Sequence, residues 1–332
     1  MEKENNLQSP FIRSKYTKQK IMLYVFLSLI PSSLFGIYIF GKNAALIIII
    51  SLITAIITDN LMQKITNEKI GKVNYSSLLT GLIFALIIPP TVPLWIPVIG
   101  VIISIILGKY IFGIASNIFN PALVGRVFLV ISFPVFMTAF IAPINTLDSN
   151  NLSITNEIDT VTSATPLSYT KQLSNEELMN KYSIKDLFFG FSEGCIGETS
   201  AFLLIIAGII LIFLKIIDWR IPVFYIGSFT FFLLIFNENI LFHLFSGGLI
   251  FGAIFMATDY VTSPITKNGK IIFAISLGLL TFLFRIYSSI PEGVMYSILF
   301  MNLLVPLIEK YTMPKPFGYV KSKSKKWKSK IN

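Results

Sequence analysis

The chain of 332 residues has a single cysteine, Cys195, and a single histidine, His243. Those two side chains cannot hold an iron–sulfur cluster, a structural zinc or a haem with two histidine ligands, and a disulfide within the chain is impossible. A redox group carried by this chain alone is therefore organic. Charge is scarce too: Asp, Glu, Lys and Arg make up 13% of the residues, roughly half the share in a soluble domain. An ordinary water-soluble enzyme is excluded.

What is present is apolar, at 54% of the residues. At about 20 apolar residues per bilayer crossing, the runs between charged or turn-rich breaks give ten candidate helices, at about 21–41, 44–58, 77–90, 92–112, 123–143, 199–217, 221–236, 240–258, 271–288 and 293–309. The expected fold is an all-α polytopic membrane protein. Its expected organisation is a cytoplasmic N-terminal arm (1–20), a first five-helix half (21–143), an external loop (144–198), a second five-helix half (199–310) and a basic cytoplasmic tail (311–332). A long polar stretch precedes Ile21 and no small-residue cleavage pattern follows the first apolar run, so that run reads as a retained span. The string GLIF occurs at Gly81–Phe84 and again at Gly248–Phe251, 167 residues apart. If it marks a repeat, five helices separate equivalent positions and the halves have opposite orientation.

The net charge of +10 could suggest nucleic acid, but 22 of the 27 Lys and Arg residues fall in segments that one topology places on a single side. The positive-inside rule then puts both termini in the cytoplasm. The seven lysines from Lys315 to Lys330 read as an anchor to anionic membrane lipid, with no nucleic-acid partner. The loop 144–197 lies outside under this topology and carries seven acids against three lysines. Within it, Ser174–Lys185 reads as a short amphipathic helix with Ser174 as N-cap.

The same loop holds Asp159-Thr160-Val161-Thr162-Ser163-Ala164-Thr165-Pro166-Leu167. On its own this is a polar turn. Its order of Asp, two residues, Thr, Ser, Ala and Thr resembles the acceptor motif on which a flavin transferase places FMN through a phosphoester, here to Thr165. The residue types suit that chemistry. A hydroxyl takes the phosphoryl group, Ser163 and Ala164 let the loop enter another enzyme's active site, and Asp159 helps hold the metal or acceptor. Thr165 is expected to be an exposed loop hydroxyl that contributes little to packing.

The resemblance extends further. IIPPTVPLWIPVIG, LGKYIFG and NIFNPALVGRVFLVISFP between Ile87 and Pro134, GCIGETSA at Gly194–Ala201 and FMATDYVTSPIT at Phe255–Thr266 resemble the D-subunit family of the Rnf ion-translocating oxidoreductases. The B subunit of the sodium-pumping NADH:quinone reductase is related; Pro166-Leu167 after the acceptor threonine and the short N-terminal region favour the Rnf type. Two departures stand out: Ile114-Ala115-Ser116 in place of a glycine-rich turn, and Tyr260 where proline is common. The resemblance implies covalent FMN at Thr165, a second, noncovalent flavin such as riboflavin, and a place in a six-subunit complex. Such a complex links ferredoxin and NAD to Na+ or H+ movement in the cell membrane, the inner one where a host has two. A flavin transferase is then a maturation partner.

Other polar positions admit two readings each. Asn120 and Arg126, at the start of the fifth span, are either a helix start with positive-inside charge or part of a second flavin site. Glu198 either caps the sixth helix or meets an ion, with capping favoured, and Asp259 is a solvated boundary residue or an ion ligand. His243 reads as a bundle-interior hydrogen-bonding residue. A solute transporter or channel remains the alternative from a different class, because ten spans and helix-breaking prolines suit it equally.

Overall fold

The computed structural model describes residues 17–67, 74–112, 117–141, 165–170, 177–178, 181–288 and 292–314. Asp159, Thr162, Ser163 and Ala164 lie outside these residues, as do Ile114–Ser116, most of 171–180 and the lysine-rich tail.

All ten expected apolar segments are helical, but they differ in length for local reasons. α1 (Lys18–Phe40) is capped by Thr17, whose Oγ1 accepts from the Lys20 N–H, and ends at Gly41, where φ is +73°. α2 (Lys42–Ile65) follows at once. With α13 (Lys267–Tyr287) and α14 (Gly293–Thr312), these are, among the described residues, the four helices long and apolar enough to cross a membrane. Several of the others are interrupted at proline or glycine. α3 (Tyr75–Leu86) stops before Pro89-Pro90, and α4 begins only at Trp95, running to Ile105 and on through a π-helical turn at 106–110. Proline disfavours helical backbone at the residue before it and lacks the N–H that a helix interior needs. The fifth expected span divides in the same way into α5 (Pro121–Ser132) and the four-residue α6 (Pro134–Met137).

The described residues of the segment between the fifth and sixth expected spans include two short helices, α7 (Pro166–Tyr169) and α8 (Ile184–Phe189). Of the helix expected over Ser174–Lys185, residues 174–176 and 179–180 lie outside the described residues; 177, 178 and 181 are helical, the helix is interrupted at 182–183, and α8 begins behind Ser183. α9 (Ala201–Phe213) and α10 (Arg220–Ile235) follow. The eighth span, expected as one helix over 240–258, is in pieces: α11 (Ile240–Phe245), then α12 (Leu249–Phe251) continued by a π-helical turn at 252–256. The break is Ser246-Gly247-Gly248, with Gly247 at φ +68°.

Helices that stop inside apolar surroundings leave carbonyls that must find donors. The chain ahead of α9 supplies them for α3: Ile196 N–H donates to Ile88 O at 3.2 Å and Gly197 N–H to Leu86 O at 2.8 Å. Ser32 Oγ of α1 donates to Gly197 O at 3.1 Å, and Gly36 leaves room for Ile196 beside it.

Packing order recurs between the halves. α1 lies on α3, α2 on α3 and α4, and α4 on α5; likewise α9 lies on α12, α10 on the π turn after α12 and on α13, and α13 on α14. The two GLIF strings fall on the corresponding broken helices, α3 and α12. The halves meet where α1 touches α9 and α5 touches α14. The buried core includes Phe84, Tyr225, Phe229, Phe251, Phe273 and Phe282, whereas Leu34, Ile49, Ile53, Phe213, Phe231 and Leu303 point outward. A helix set apolar on both its inner and outer faces is that of a polytopic membrane protein.

Candidate functional site

Two cavities collect the charged and polar side chains that these broken helices bring inside. The first lies beside Thr165. Its N-capping position ahead of α7 buries the residue to 7% exposure, and its hydroxyl shares a 2.7 Å hydrogen bond with Ser168 Oγ. Thr165 is therefore not the exposed loop hydroxyl expected from sequence; Pro166 and Leu167 pack inward and carry it with them. The cavity that it lines also includes Ser192, Glu193, Glu198, Thr199, Ser246 and Glu292 in its wall, three of them carboxylates.

Below it, Arg126 of α5 is paired with two acids. Its Nη1 lies 3.1 Å from Glu198 Oε1, and its Nη2 donates to Glu292 Oε2 and approaches Cys195 Sγ at 3.5 Å. The Arg126 and Glu198 side chains are each 6% exposed. Glu198 does not cap α9, as its position suggested. Ser200 does, its Oγ accepting from Leu203 N–H, and the Glu198 carboxylate turns to the buried guanidinium instead. A charge that far from water needs a counter-charge more than a helix end needs a second acceptor. The same carboxylate lies against the start of α12, where a Cβ on Gly248 would come within 2.5 Å of Glu198 Oε1. The positive end of that helix favours an acid there.

A second guanidinium lies nearby. Arg285 of α13 is buried; its Nη1 donates to His243 O and its Nη2 to Ser246 O at 3.2 Å, so it holds the carbonyls freed where α11 ends. Its Nε and the Ser246 hydroxyl are both buried without a protein partner. His243 is buried as expected but not through the side-chain hydrogen bond expected of it: Nε2 lies 3.8 Å from Glu238 Oε2 and Nδ1 is buried without a partner.

The second cavity lies at the other end of the bundle, among Asn117, Asn120, Lys109, Asp59 and Asp259. Asn120 caps α5 through Oδ1, which accepts from Ala122 N–H at 3.1 Å, and its Nδ2 reaches Met256 O at 3.4 Å. Lys109 is buried in the π turn after α4, and its Nζ donates to Ser76 and Ser77 Oγ at 3.1 Å each. Asp59 is held by Tyr110 OH at 3.0 Å and Gln63 Nε2 at 2.7 Å. Asp259 accepts from Thr262 Oγ1 at 3.3 Å and from Val261 N–H; it is half-buried on the cavity wall rather than a fully solvated boundary residue. Asn120 and Arg126, grouped as one site in the sequence, line different cavities. Six residues of helix separate them by about 9 Å along the axis.

Sequence reasoning missed Asp59, Lys109, Arg285 and Glu292. The signal was present for Lys109 and Arg285, since each is an ionisable residue inside an expected span and such residues are costly unless used. Among the described residues no group of three or more His, Cys, Asp or Glu could hold a metal ion.

Broken helices, buried ion pairs and internal polar cavities define a polytopic membrane protein with charged side chains held in its core. Residues 5–318 match the NQR2, RnfD, RnfE family, and the chain belongs to that family. It is 40% identical to the D subunit of the proton-translocating ferredoxin:NAD(+) oxidoreductase complex of Clostridium ljungdahlii, over 93% of this chain and 95% of the relative. It is 39% identical to the D subunit of the Na(+)-translocating ferredoxin:NAD(+) oxidoreductase complex of Acetobacterium woodii, over 95% of each. The D subunit of an ion-translocating oxidoreductase complex of Haemophilus influenzae is 37% identical, over 94% of this chain and 97% of the relative.

Proposed function

We propose that this chain is the flavin-carrying D subunit of an Rnf-type complex that passes electrons between ferredoxin and NAD and couples them to Na+ or H+ movement. Relatives bearing that name along nearly the whole chain support the assignment to an ion-translocating oxidoreductase. Thr165 would hold FMN through a phosphoester and the inner cavity around Asn120 a noncovalent flavin such as riboflavin. The observation that carries the first part is the Thr165 hydroxyl, buried on a cavity wall that also presents the unpartnered Ser246 hydroxyl. A flavin supplies one- and two-electron chemistry when bound.

The chain's own residues would do the rest. Ser168 orients the Thr165 oxygen, and Pro166 and Leu167 keep water from that side of the cavity. Asn120 offers an amide toward the inner ligand while capping α5, and Lys109 sets a fixed positive charge on the same wall. Glu198 and Asp259 are the acids proposed to meet the coupling ion, one at each cavity.

Both termini are proposed to lie in the cytoplasm and the Thr165 loop outside. Because Arg126 is committed to Glu198, it drops from the inside charge count, and 22 less one leaves 21 of 27 basic residues on that side. The remaining partners are the other members of a six-subunit complex, the flavin transferase and anionic lipid along the basic tail.

The test is a denaturing gel viewed under ultraviolet light. The band from cells containing the transferase fluoresces, and the Thr165→Ala band is dark. A dark parent band would favour a solute transporter or channel. Co-purification with quinone-reductase subunits would favour the B subunit of the sodium-pumping enzyme.

A further inference from the structure

The cavity beside Thr165 is short of positive charge. Glu193, Glu198 and Glu292 stand in its wall, and among the described residues no Lys, Arg or His does. Arg126 pairs with two of them from below, through Oε1 of Glu198 and Oε2 of Glu292, which leaves one oxygen of each carboxylate outside the pair. Glu193 is half-buried and has no cation within ion-pair distance among the described residues. Three carboxylates against one guanidinium leave the cavity negative. Arg285 does not redress this, because it lines the neighbouring cavity and both its outer nitrogens are spent on the carbonyls of His243 and Ser246.

Acids by themselves need hold nothing, but the same wall has a second feature. Ser246 is 1% exposed, and its Oγ is buried without a partner. The Glu198 carboxylate comes to the same break in the chain, lying against Gly248 two residues further on. A buried oxygen with unused lone pairs, beside uncompensated carboxylate charge, is completed by a cation. Breaks in membrane helices are also where small cations are held. The chemistry of the wall narrows the ion. Its donors are oxygens, since the thiol of Cys195 turns to Arg126 at 3.5 Å, and softer transition metals are disfavoured. Among the described residues no three acids converge as a metal ion would require, whereas Ca2+ takes about six to eight oxygens and Mg2+ a near-ideal octahedron. A monovalent cation asks for less charge and accepts a hydroxyl.

We infer that the cavity beside Thr165 binds a monovalent alkali cation, with Ser246 Oγ and the carboxylate oxygens of Glu198 and Glu292 that Arg126 leaves over as its ligands, and with Glu193 adding negative charge. The inference rests on the proposal that Glu198 meets an ion, and deepens it; it does not depend on what Thr165 carries. Arg126 then has a second use. It holds two carboxylates in place and cancels part of their charge, so that a cation is attracted into the cavity yet held weakly enough to leave it.

The experiment is a series of thermal melts of the full chain in detergent at constant ionic strength, with choline chloride replaced stepwise by NaCl or by KCl. Protein from cells with and without the flavin transferase is melted in parallel. At least one alkali salt raises the melting temperature by a few degrees and saturably, because a ligand bound only by the folded state stabilises it, and it does so with or without flavin. Ser246→Ala raises the half-saturating concentration about tenfold, the weight of one polar contact to a charge. In choline alone it leaves the melting temperature unchanged or raises it, since it removes a hydroxyl that has no partner. Glu193→Gln weakens the same response without breaking an ion pair, and it decides the matter should Ser246→Ala fail to fold. Identical melts in all three salts would overturn the site. An alkali response that both variants keep would place the ion elsewhere, which overturns this site and leaves the ion reading of Asp259 standing. A response to micromolar Ca2+ or Mg2+ with none to the alkali salts would overturn the monovalent assignment. A dark band on the gel together with a saturable alkali response that Ser246→Ala weakens withdraws the flavin and supports the cation.

Discussion

Arg126 of α5 and Glu198 ahead of α9 lie 3.1 Å apart, each 6% exposed, and so tie the fifth span to the segment that leads into the second half. Glu292, at the start of α14, takes the other arm of the same guanidinium. Three segments remote in sequence therefore depend on one side chain. Removing one partner of a buried pair costs about 3–5 kcal/mol, since the other charge is left without water or counter-ion. Arg126→Gln is expected to lower yield and melting temperature more than Glu198→Gln, because it strands two carboxylates rather than one guanidinium that retains Glu292. Size-exclusion profiles and thermal melts in detergent decide this; equal losses would contradict it.

The close crossing of α10 and α13 gives a second expectation. A Cβ on Gly278 would meet backbone atoms, Phe229 N at 2.8 Å and Tyr225 O at 2.9 Å, which cannot swing aside as a side chain can. Gly278→Ala should cost about 1–3 kcal/mol, the usual range for overpacking. Gly227, between Tyr225 and Phe229 and so on the opposite face of α10, has nothing within 4 Å of the same position. Gly227→Ala should be neutral or stabilise by up to about 1 kcal/mol through helix propensity. Paired melts of the two variants test the contrast.

The Asn120 cavity should be separable from the Thr165 cavity. Asn120→Ser retains a capping oxygen for α5 yet removes the amide, and Lys109→Met removes the buried ammonium. Both are expected to lose the flavin that is released when the protein is denatured, with the covalently fluorescent band as bright as in the parent. Loss of both signals together would show that the cavities are not independent.

Asp218, in the turn between α9 and α10, sets a pH dependence. Burial raises its carboxyl, but the Lys270 hydrogen bond at 3.0 Å, the Arg220 N–H and the two cations outweigh that and hold it below the usual range. A carboxylate depressed on folding stabilises above its unfolded value, near pH 4, and the contribution is lost as pH falls through the folded value. Asp218→Asn should thus cost a constant amount from pH 5 to 8, about 1 kcal/mol or less for so exposed a cluster, and the difference should vanish in stronger acid. Melts across that range check the sign; a penalty that grows toward low pH would contradict it.

Thr165→Ala should abolish electron transfer by the complex. Because Thr165 is buried and bonded to Ser168, the variant should also lose about 1 kcal/mol of stability, a hydrogen bond's worth, while still assembling with its partners. Co-purification of the complex together with an absence of turnover is the expected pair of results.

The apolar runs alone defined ten helical segments and a membrane, because burying a backbone in lipid leaves no other economical structure and that demand is written in composition. The GLIF strings marked the two broken helices through local order of residues, and the flavin attachment at Thr165 remains a proposal drawn from the same kind of signal. Where each helix stopped was less legible. Ser246-Gly247-Gly248 looks like any small-residue stretch in an apolar run until the Arg285 guanidinium fills the break it makes. The separation of Asn120 from Arg126 and the turning of Glu198 from a helix end to an ion pair belong to the tertiary structure alone. A charge's partner is chosen by distance in a medium that screens little, and the residues concerned here, Arg126, Glu198 and Glu292, are brought together only when the two halves of the chain close on each other.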